Sequence, residues 1–283
     1  MYTDVEKVVM PLTLCILLII TFLLWLLLRN KGEAVQSIPF KLIALILMIG
    51  EVAKQIISIR QGYNFWHLPL HFCSTYFIWF SIAEFSQRKL RLSVQNMSFV
   101  ATFYLCAAMY SYPGSIVPHC DNIFKNYFSA HSFFFHHLVV LYMLLTVAFK
   151  RYKPQKKDAL VWVVCFTIYY ALAFICAHTF EQNFFNILHS GPLTFIEPIR
   201  LKIGQVWYNI GLLFVLLFFG SSILYVSAVI RQRRLRKKEW IEMYLAGEVK
   251  ATPLQGHFTA TKKTYTLAKK TQESTFEGDF EDF

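Results

Sequence analysis

Charged side chains are scarce in this chain, and their scarcity excludes a water-soluble globular enzyme. Asp, Glu, Lys and Arg make up only 16% of the 283 residues, whereas a soluble domain typically carries about 25%. Apolar residues make up 56% of the chain and fall in blocks of about 20, the length that crosses a bilayer as a helix. The sequence therefore predicts an all-α, multi-pass integral membrane protein, and we expect it in the plasma membrane.

Several motifs of soluble enzymes are also missing. The chain has no CxxC pair, no HExxH pair and no glycine-rich phosphate loop, so we predict no disulfide framework and no cofactor. The net charge is +11, but the basic residues lie between the apolar blocks and just after the last one. This placement indicates membrane topology and attraction to anionic lipid rather than binding to nucleic acid.

Seven apolar segments predict a bundle of about seven transmembrane helices. Their approximate bounds are 10–28, 40–58, 68–85, 94–111, 131–149, 159–177 and 206–230. The basic residues concentrate in alternate connections, namely 29–41, 86–93, 150–158 and 231–238. Because Lys and Arg are enriched in cytoplasmic loops, this alternation predicts an N-terminus outside and a C-terminus in the cytoplasm.

The same pattern divides the chain into three regions. Residues 1–230 are predicted to form the transmembrane domain. Residues 231–249 predict a basic juxtamembrane helix, in which Trp240 and Tyr244 lie on the inner leaflet beside anionic lipid. Residues 250–283 are polar and lack apolar periodicity, which is typical of a disordered tail.

Polar residues inside the predicted spans are the candidates for function, because an ionisable group near the bilayer centre costs roughly 2.5–3.5 kcal/mol on insertion scales. Under the predicted topology most of them share one depth near the outer surface. The residues at this depth are Glu51, Lys54, His67, His71, Cys73, His131, His178, Glu181, Trp207 and Asn209. A shared depth indicates either one polar pocket or a set of hydrated helix ends. Glu84 lies at the opposite depth, where the basic connection 86–93 is expected to compensate it.

Glu51 and Lys54 are three residues apart and therefore share a helix face. Two interpretations of this pair are open. The first is an ion pair that lines the bundle, and the second is a site that places a lipid headgroup.

Cys73 and His131 are the most specific candidates for a catalytic pair of nucleophile and base. A thiol becomes a good nucleophile only as the thiolate, and a neighbouring imidazole can accept its proton. A metal site built from His71, Cys73, His131, His136 and His137 is an alternative. Against it, His71 and Cys73 point to nearly opposite sides of a regular helix. His136 and His137 diverge around their own helix and are predicted to be packing histidines.

Four short stretches resemble the YwaF-like integral membrane protein family. HLPLHFC at 67–73 resembles the family's lPlHlC stretch, and YFSAHS at 127–132 is similar to its FFlSHg stretch, with Ala130 where Ser is usual. EQNFF at 181–185 resembles an outer motif of the NYM type, and GQVWY at 204–208 resembles the GPWPWY close without its Pro and one Trp. The likeness runs through about residues 35–230.

This resemblance implies a membrane lipid acyltransferase or lipid ester hydrolase. The animal branch of the family, transmembrane protein 164, is a plasmalogen-remodelling acyltransferase with a Cys nucleophile, and more distant relatives are Thr/His lipid hydrolases. Cys73 is then the nucleophile and His131 its base, acting on a membrane phospholipid or lysophospholipid. Asn183 is implied to orient His131 or to bind the headgroup. The other residues expected to bind or orient substrate are His71, Glu51, Lys54 and Trp207.

Two further functions are compatible with the sequence. One is a seven-helix sensor or transporter without chemistry, in which Cys73 is replaceable. The other is a metal-dependent hydrolase that uses the histidines. The oligomeric state does not follow from the sequence.

Overall fold

The computed structural model of the protein describes residues 4–111, 123–191 and 196–245, and this part of the chain contains helices and no strands. The helices are α1 (Asp4–Leu28), α2 (Glu33–Gln36), α3 (Ile38–Arg60), α4 (Tyr76–Phe85), α5 (Arg88–Ser111), α6 (Tyr127–Ala148), α7 (Lys156–Phe180), α8 (Glu197–Ile203) and α9 (Gln205–Leu245). The prediction of an all-α fold is confirmed. The chain divides into two compact units, Met1–Val229 and Ile230–Phe283.

Six helical stretches of the described chain are long and apolar enough to cross a membrane. They are Val5–Leu28, Glu33–Arg60, Leu90–Ser111, Tyr127–Ala148, Lys156–Phe180 and Gln205–Met243. These stretches, with the many large apolar side chains exposed on their surfaces, establish an integral multi-pass membrane protein. The predicted tail 250–283 lies outside the described residues.

The predicted third span, 68–85, is not a continuous helix, and this corrects the expectation of seven regular spans. The segment contains two 3₁₀ turns, Phe65–His67 and Cys73–Thr75, before α4 begins. Pro69 explains the break, because proline lacks an amide donor and disfavours helical geometry at the residue before it. Leu68 is accordingly extended, with φ −55° and ψ 140°. The 10 residues of α4 span only about 15 Å of a hydrocarbon core about 30 Å thick.

The broken segment nevertheless returns along the length of α3. At its start, the His67 ring lies 2.7 Å from the Ser58 hydroxyl, near the C-terminal end of α3. At its end, Glu84 pairs with Arg151 at 3.0 Å, and the Arg151 guanidinium lies over the Phe40 ring near the N-terminal end of α3. The irregular turns and α4 together therefore travel between the two ends of α3. The outside N-terminus and the cytoplasmic C-terminus stay predictions.

Aromatic side chains fill the interior of the first unit. Tyr76, Phe80 and Tyr142 are fully buried, and the Phe80 and Tyr142 rings stack with centroids 3.8 Å apart. Between α7 and α9, the Trp162 indole lies where any Cβ on Gly220 would overlap it. Glycine at 220 therefore permits the close approach of these two helices.

The end of the bundle where α4 finishes carries a second polar cluster. Glu84 accepts a hydrogen bond from the Tyr142 hydroxyl at 2.6 Å and forms the ion pair with Arg151. In the described part of the chain, the cation that contacts Glu84 thus follows α6. The Arg88 and Lys89 side chains of the connection 86–93 lie outside the described residues, so the expected compensation by that connection stays a prediction. Nearby, the Asn96 amide donates to Asp158 at 2.8 Å and joins α5 to α7.

Candidate active site

One face of α3 carries the polar side chains that organise the opposite end of the bundle. Glu51, Lys54, Gln55 and Ser58 follow one another at helical spacing, so they form a single stripe. Lys54 and Glu51 form the ion pair that their spacing allows, with Nζ to Oε1 at 2.7 Å. Both side chains are buried, at 10% and 3% exposed. A buried ion pair in an apolar bundle is retained at a cost in desolvation, which makes this stripe the first candidate for function.

The stripe also holds the irregular segment before α4. The Gln55 amide donates to Glu51 at 2.8 Å and to the His67 carbonyl at 2.7 Å, and it accepts from the Tyr63 hydroxyl at 2.8 Å. Burial, assisted by the charge of Glu51, raises the pKa of Tyr63. Burial and the Lys54 charge lower the pKa of His67, although Glu51 opposes them. At neutral pH Tyr63 therefore keeps its donor proton and His67 is neutral.

Cys73 stands where the irregular segment becomes helical. It opens the 3₁₀ turn Cys73–Thr75 that runs directly into α4, and its thiol is free and half-buried. The Tyr169 hydroxyl donates to the Leu70 carbonyl and fixes the turn that precedes the thiol.

His131 lies on α6, facing the polar stripe of α3. Its Nε2 atom is 3.9 Å from Glu51 Oε2, and the Tyr127 hydroxyl, one turn earlier on α6, donates to the Gly50 carbonyl at 3.0 Å. Among the described residues, neither His131 Nε2 nor Glu51 Oε2 has a hydrogen-bond partner, although both atoms are buried. The structure therefore brings one imidazole nitrogen and one carboxylate oxygen together, both buried and each without a hydrogen-bond partner among the described residues.

Cys73 and His131 both lie within the electrostatic reach of Lys54. Lys54 interacts electrostatically with the thiol and with the imidazole, so the three groups share one end of the bundle. In the described part of the chain no hydrogen bond joins the Cys73 thiol to the His131 ring. The assignment of these two residues as nucleophile and base stays a prediction.

His71 lies beneath aromatic rings at this end of the bundle. Its Nε2 is 3.1 Å from the Trp66 carbonyl, and its ring packs on the rings of Trp66 and Phe184. Phe184 belongs to the connection after α7, and the adjacent Phe185 contacts Phe72 edge-on. The connection therefore covers the turn that carries Cys73.

Asn183 shapes this covering connection, and its implied role in orienting His131 or binding a headgroup stays a prediction. Its amide nitrogen donates to the His189 carbonyl at 3.0 Å, and its amide oxygen accepts from the backbone amides of Leu188 and His189. Phe185 and Asn186 have positive φ values of 56° and 59°. Such strained backbone in residues other than glycine needs fixed anchors of this kind.

A second set of polar contacts secures the far side of the connection. Glu197 accepts from the Ser190 amide at 3.0 Å and from the Arg200 guanidinium at 2.9 Å. These hydrogen bonds lower the pKa of Glu197 to about 2. Trp207, at the start of α9, is 67% exposed. The structure thus places Trp207 on the outer surface of the helix and not among the residues around Cys73.

The histidines proposed as metal ligands are not gathered. Within the residues that the structure describes, no group of three His, Cys, Asp or Glu side chains is placed to hold a metal ion. His136 and His137 are buried and lie against carbonyls of their own helix, those of Ser132 and Phe133. His137 also contacts the Thr13 hydroxyl at 3.0 Å, so both act in packing, as predicted.

Sequence reasoning missed the contact between Glu51 and His131 and the supporting roles of Gln55, Ser58 and Tyr169. The signal for Glu51 and His131 was their shared predicted depth. The signal for Gln55 and Ser58 was their spacing of four and seven residues from Glu51. No pattern in the sequence pointed to Tyr169.

Comparisons with known proteins place the chain in a family. No curated protein and no solved structure matches it. The model of the TMEM164 family matches residues 1–225, a range that contains the polar stripe of α3, the Cys73 turn and His131. The YwaF-like resemblance of the sequence is compatible with that match. The chain is therefore a membrane protein that belongs to the TMEM164 family.

Proposed function

We propose that this protein transfers acyl groups between membrane lipids through a thioester on Cys73. The observation that carries the proposal is the position of Cys73 at a helix break, beside a buried cluster of acid, base and ammonium in an otherwise apolar bundle. A covalent intermediate suits an unactivated ester, because it divides one difficult step into two easier ones. Membership of the TMEM164 family supports a membrane protein connected with lipids.

The reaction is balanced by one proton that moves through His131. His131 accepts the thiol proton while Cys73 Sγ bonds to the carbonyl carbon of a phospholipid ester. The tetrahedral intermediate then breaks its C–O bond, and the departing lysolipid oxygen takes the proton from the imidazolium. In the second half, the hydroxyl of another lysolipid gives its proton to His131 and attacks the thioester, which frees the Cys73 thiol. Water in place of that hydroxyl makes the protein a hydrolase.

Lys54 is suited to stabilise negative charge during both halves of the reaction. Its ammonium interacts with the Cys73 thiol in a buried site, where a fixed charge acts more strongly than in water. The developing charges are the thiolate and the oxyanion of the tetrahedral intermediate. Lys54 is therefore the residue to which we assign their stabilisation.

Two statements about the surroundings belong to the same proposal. We place the reaction at the outer side of the plasma membrane, following the predicted topology. The basic residues 231–238 of α9 are largely exposed, which supports their binding to anionic lipid of the inner leaflet.

The test is a trap for the acyl thioester. The full-length protein in detergent is incubated with phospholipids that carry an alkyne-tagged acyl chain, and the protein-bound label is measured before and after hydroxylamine. We expect a hydroxylamine-sensitive label that is lost in Cys73→Ala and kept in Cys165→Ala, a half-buried cysteine of α7. An unlabelled wild-type protein would contradict the proposal and favour a sensor or transporter. A label that survives Cys73→Ala would contradict the assignment of Cys73 as the nucleophile.

A further inference from the structure

The strongest unexplained feature of the molecule is the pair of unused buried atoms between α3 and α6. Glu51 Oε2 and His131 Nε2 face each other at 3.9 Å, and neither has a hydrogen-bond partner among the described residues. Buried polar atoms in native proteins are nearly always bonded, so an exception calls for an explanation. A carboxylate oxygen accepts and a ring N–H donates, so the two atoms are complementary.

The rest of the Glu51 carboxylate is already fixed. Its Oε1 atom accepts from Lys54 at 2.7 Å and from Gln55 at 2.8 Å, while Oε2 is left directed toward α6. The hydrogen bond from Tyr127 to the Gly50 carbonyl sets the register of α6 against α3 next to the pair. A separation of 3.9 Å needs to shorten by only about 1 Å to become a hydrogen bond, and catalytic hydrogen bonds are often long before substrate binds.

We infer that Glu51 is a positioning residue that acts through His131, an inference that rests on the proposed function. When Nε2–H donates to Glu51, the proton is held on Nε2 and the other ring nitrogen, Nδ1, is the base. Glu51 also stabilises the imidazolium that forms when His131 accepts the Cys73 proton. This is the role that a carboxylate plays in other nucleophile and histidine arrangements. Cys73, His131 and Glu51 thus form a triad whose third member is anchored by Lys54.

The direction in which the reaction rate of Cys73 changes, when the charge of Glu51 is removed, separates this role from a direct electrostatic effect on the thiol. If Glu51 acted directly on the thiol, removing its negative charge would favour the thiolate and speed the reaction of Cys73. If Glu51 acts through His131, removing the carboxylate weakens the base and slows that reaction. The two explanations predict opposite changes in the same variant.

The experiment measures how fast iodoacetamide alkylates Cys73 near neutral pH, in full-length protein whose other five cysteines are replaced by Ser. The variants are Glu51→Gln, Glu51→Asp, His131→Gln and the double variant Glu51→Gln/His131→Gln. Glu84→Gln is the matched control, since Glu84 is equally buried at the other end of the bundle. Lys54 loses its partner in Glu51→Gln, so all rates are taken per folded protein after size-exclusion chromatography.

We expect Glu51→Gln to slow alkylation at least about 10-fold. This is part of the rate acceleration of about 10²–10⁴-fold that a positioned general base contributes. Glu51→Asp recovers part of the rate, Glu84→Gln leaves it unchanged, and Glu51→Gln has no further effect in the His131→Gln background. An unchanged or faster rate in Glu51→Gln would overturn the inference, as would equal slowing by Glu84→Gln. If the parent thiol does not react with iodoacetamide, the rate of acyl-thioester formation is compared in the same variants with the same outcomes.

The same variants distinguish failure of the inference from failure of the proposed function. A wild-type protein that forms the thioester while Glu51→Gln forms it equally fast keeps the function and removes Glu51 from the triad. In the opposite case, the wild-type protein forms no thioester, but alkylation is slowed in Glu51→Gln and partly recovered in Glu51→Asp. That result rules out acyl transfer and supports the arrangement of Glu51, His131 and Cys73.

Discussion

The two buried glutamates of the bundle differ in how completely they are bonded. Glu84 uses both oxygens, one toward Tyr142 at 2.6 Å and one toward Arg151 at 3.0 Å. Glu51 uses only Oε1, and Oε2 stops 3.9 Å short of His131. Both carboxylates are almost inaccessible, at 4% and 3% exposed, so burial does not separate them. Their hydrogen bonding does.

This difference separates two kinds of buried carboxylate in a membrane bundle. A carboxylate whose acceptors are all occupied holds helices together, here α4 to α6 and to the chain that follows α6. A carboxylate with one free acceptor facing an unbonded imidazole has capacity left for a proton or a substrate. We therefore expect Glu84 to contribute to the free energy of unfolding and Glu51 to contribute to catalysis.

The largest effect that tests this comparison is expected at Arg151. Arg151→Met leaves Glu84 buried without its cation, and breaking a buried ion pair costs about 3–5 kcal/mol in the free energy of unfolding. Unfolding of the full-length protein in detergent, followed against denaturant, measures this loss. The thioester label per folded protein is expected to stay at the wild-type level. A stable Arg151→Met variant with reduced labelling would reverse the comparison.

A matched pair of aromatic substitutions gives an intermediate effect. Tyr142→Phe deletes the hydrogen bond to Glu84, and a bond to a charged acceptor contributes about 2 kcal/mol. His131→Phe deletes no existing hydrogen bond of Glu51, so its stability is expected to stay within about 1 kcal/mol of wild type. The thioester label should be lost only in His131→Phe. Equal stability losses in the two variants would mean that the Glu51 and His131 pair is structural.

The smallest effect concerns a partly exposed carboxylate, Glu197, the first residue of α8 after the covering connection. Its pKa is lowered from 4.5 to about 2 by hydrogen bonds from Arg200 and Ser190. The ionised form therefore stabilises the folded state above the unfolded pKa, and this contribution is lost as pH falls through the folded value. Wild type is expected to lose stability relative to Glu197→Gln between about pH 4.5 and 2. Parallel pH dependence of the two proteins would show that the connection does not depend on Glu197.

Sequence alone was sufficient for the features that depend on composition and spacing. Apolar blocks predicted the helices, and the alternation of charge predicted a common depth for Glu51, Lys54, Cys73 and His131. Pro69 lies at the break before α4, a break that the predicted continuous span 68–85 did not include.

The rest depends on how helices rotate and cross, which no single sequence encodes locally. Glu51 and His131 face each other because of the register between α3 and α6. The hydrogen bond from the Tyr127 hydroxyl to the Gly50 carbonyl fixes that register. Arg151, which pairs with Glu84, lies 67 residues away in the chain, a contact that no local sequence pattern indicates. Asn183 occurs in a motif that suggested a catalytic partner, and its amide closes a local turn.

The most direct measurement of the central claim is peptide mass spectrometry of the full-length protein after reaction with a phospholipid of known acyl composition. The account predicts one acyl adduct on the peptide that contains Cys73, removed by neutral hydroxylamine and transferred to lysophospholipid when that acceptor is added. An adduct confined to any other cysteine, or an unmodified Cys73 peptide in active lipid mixtures, would contradict it.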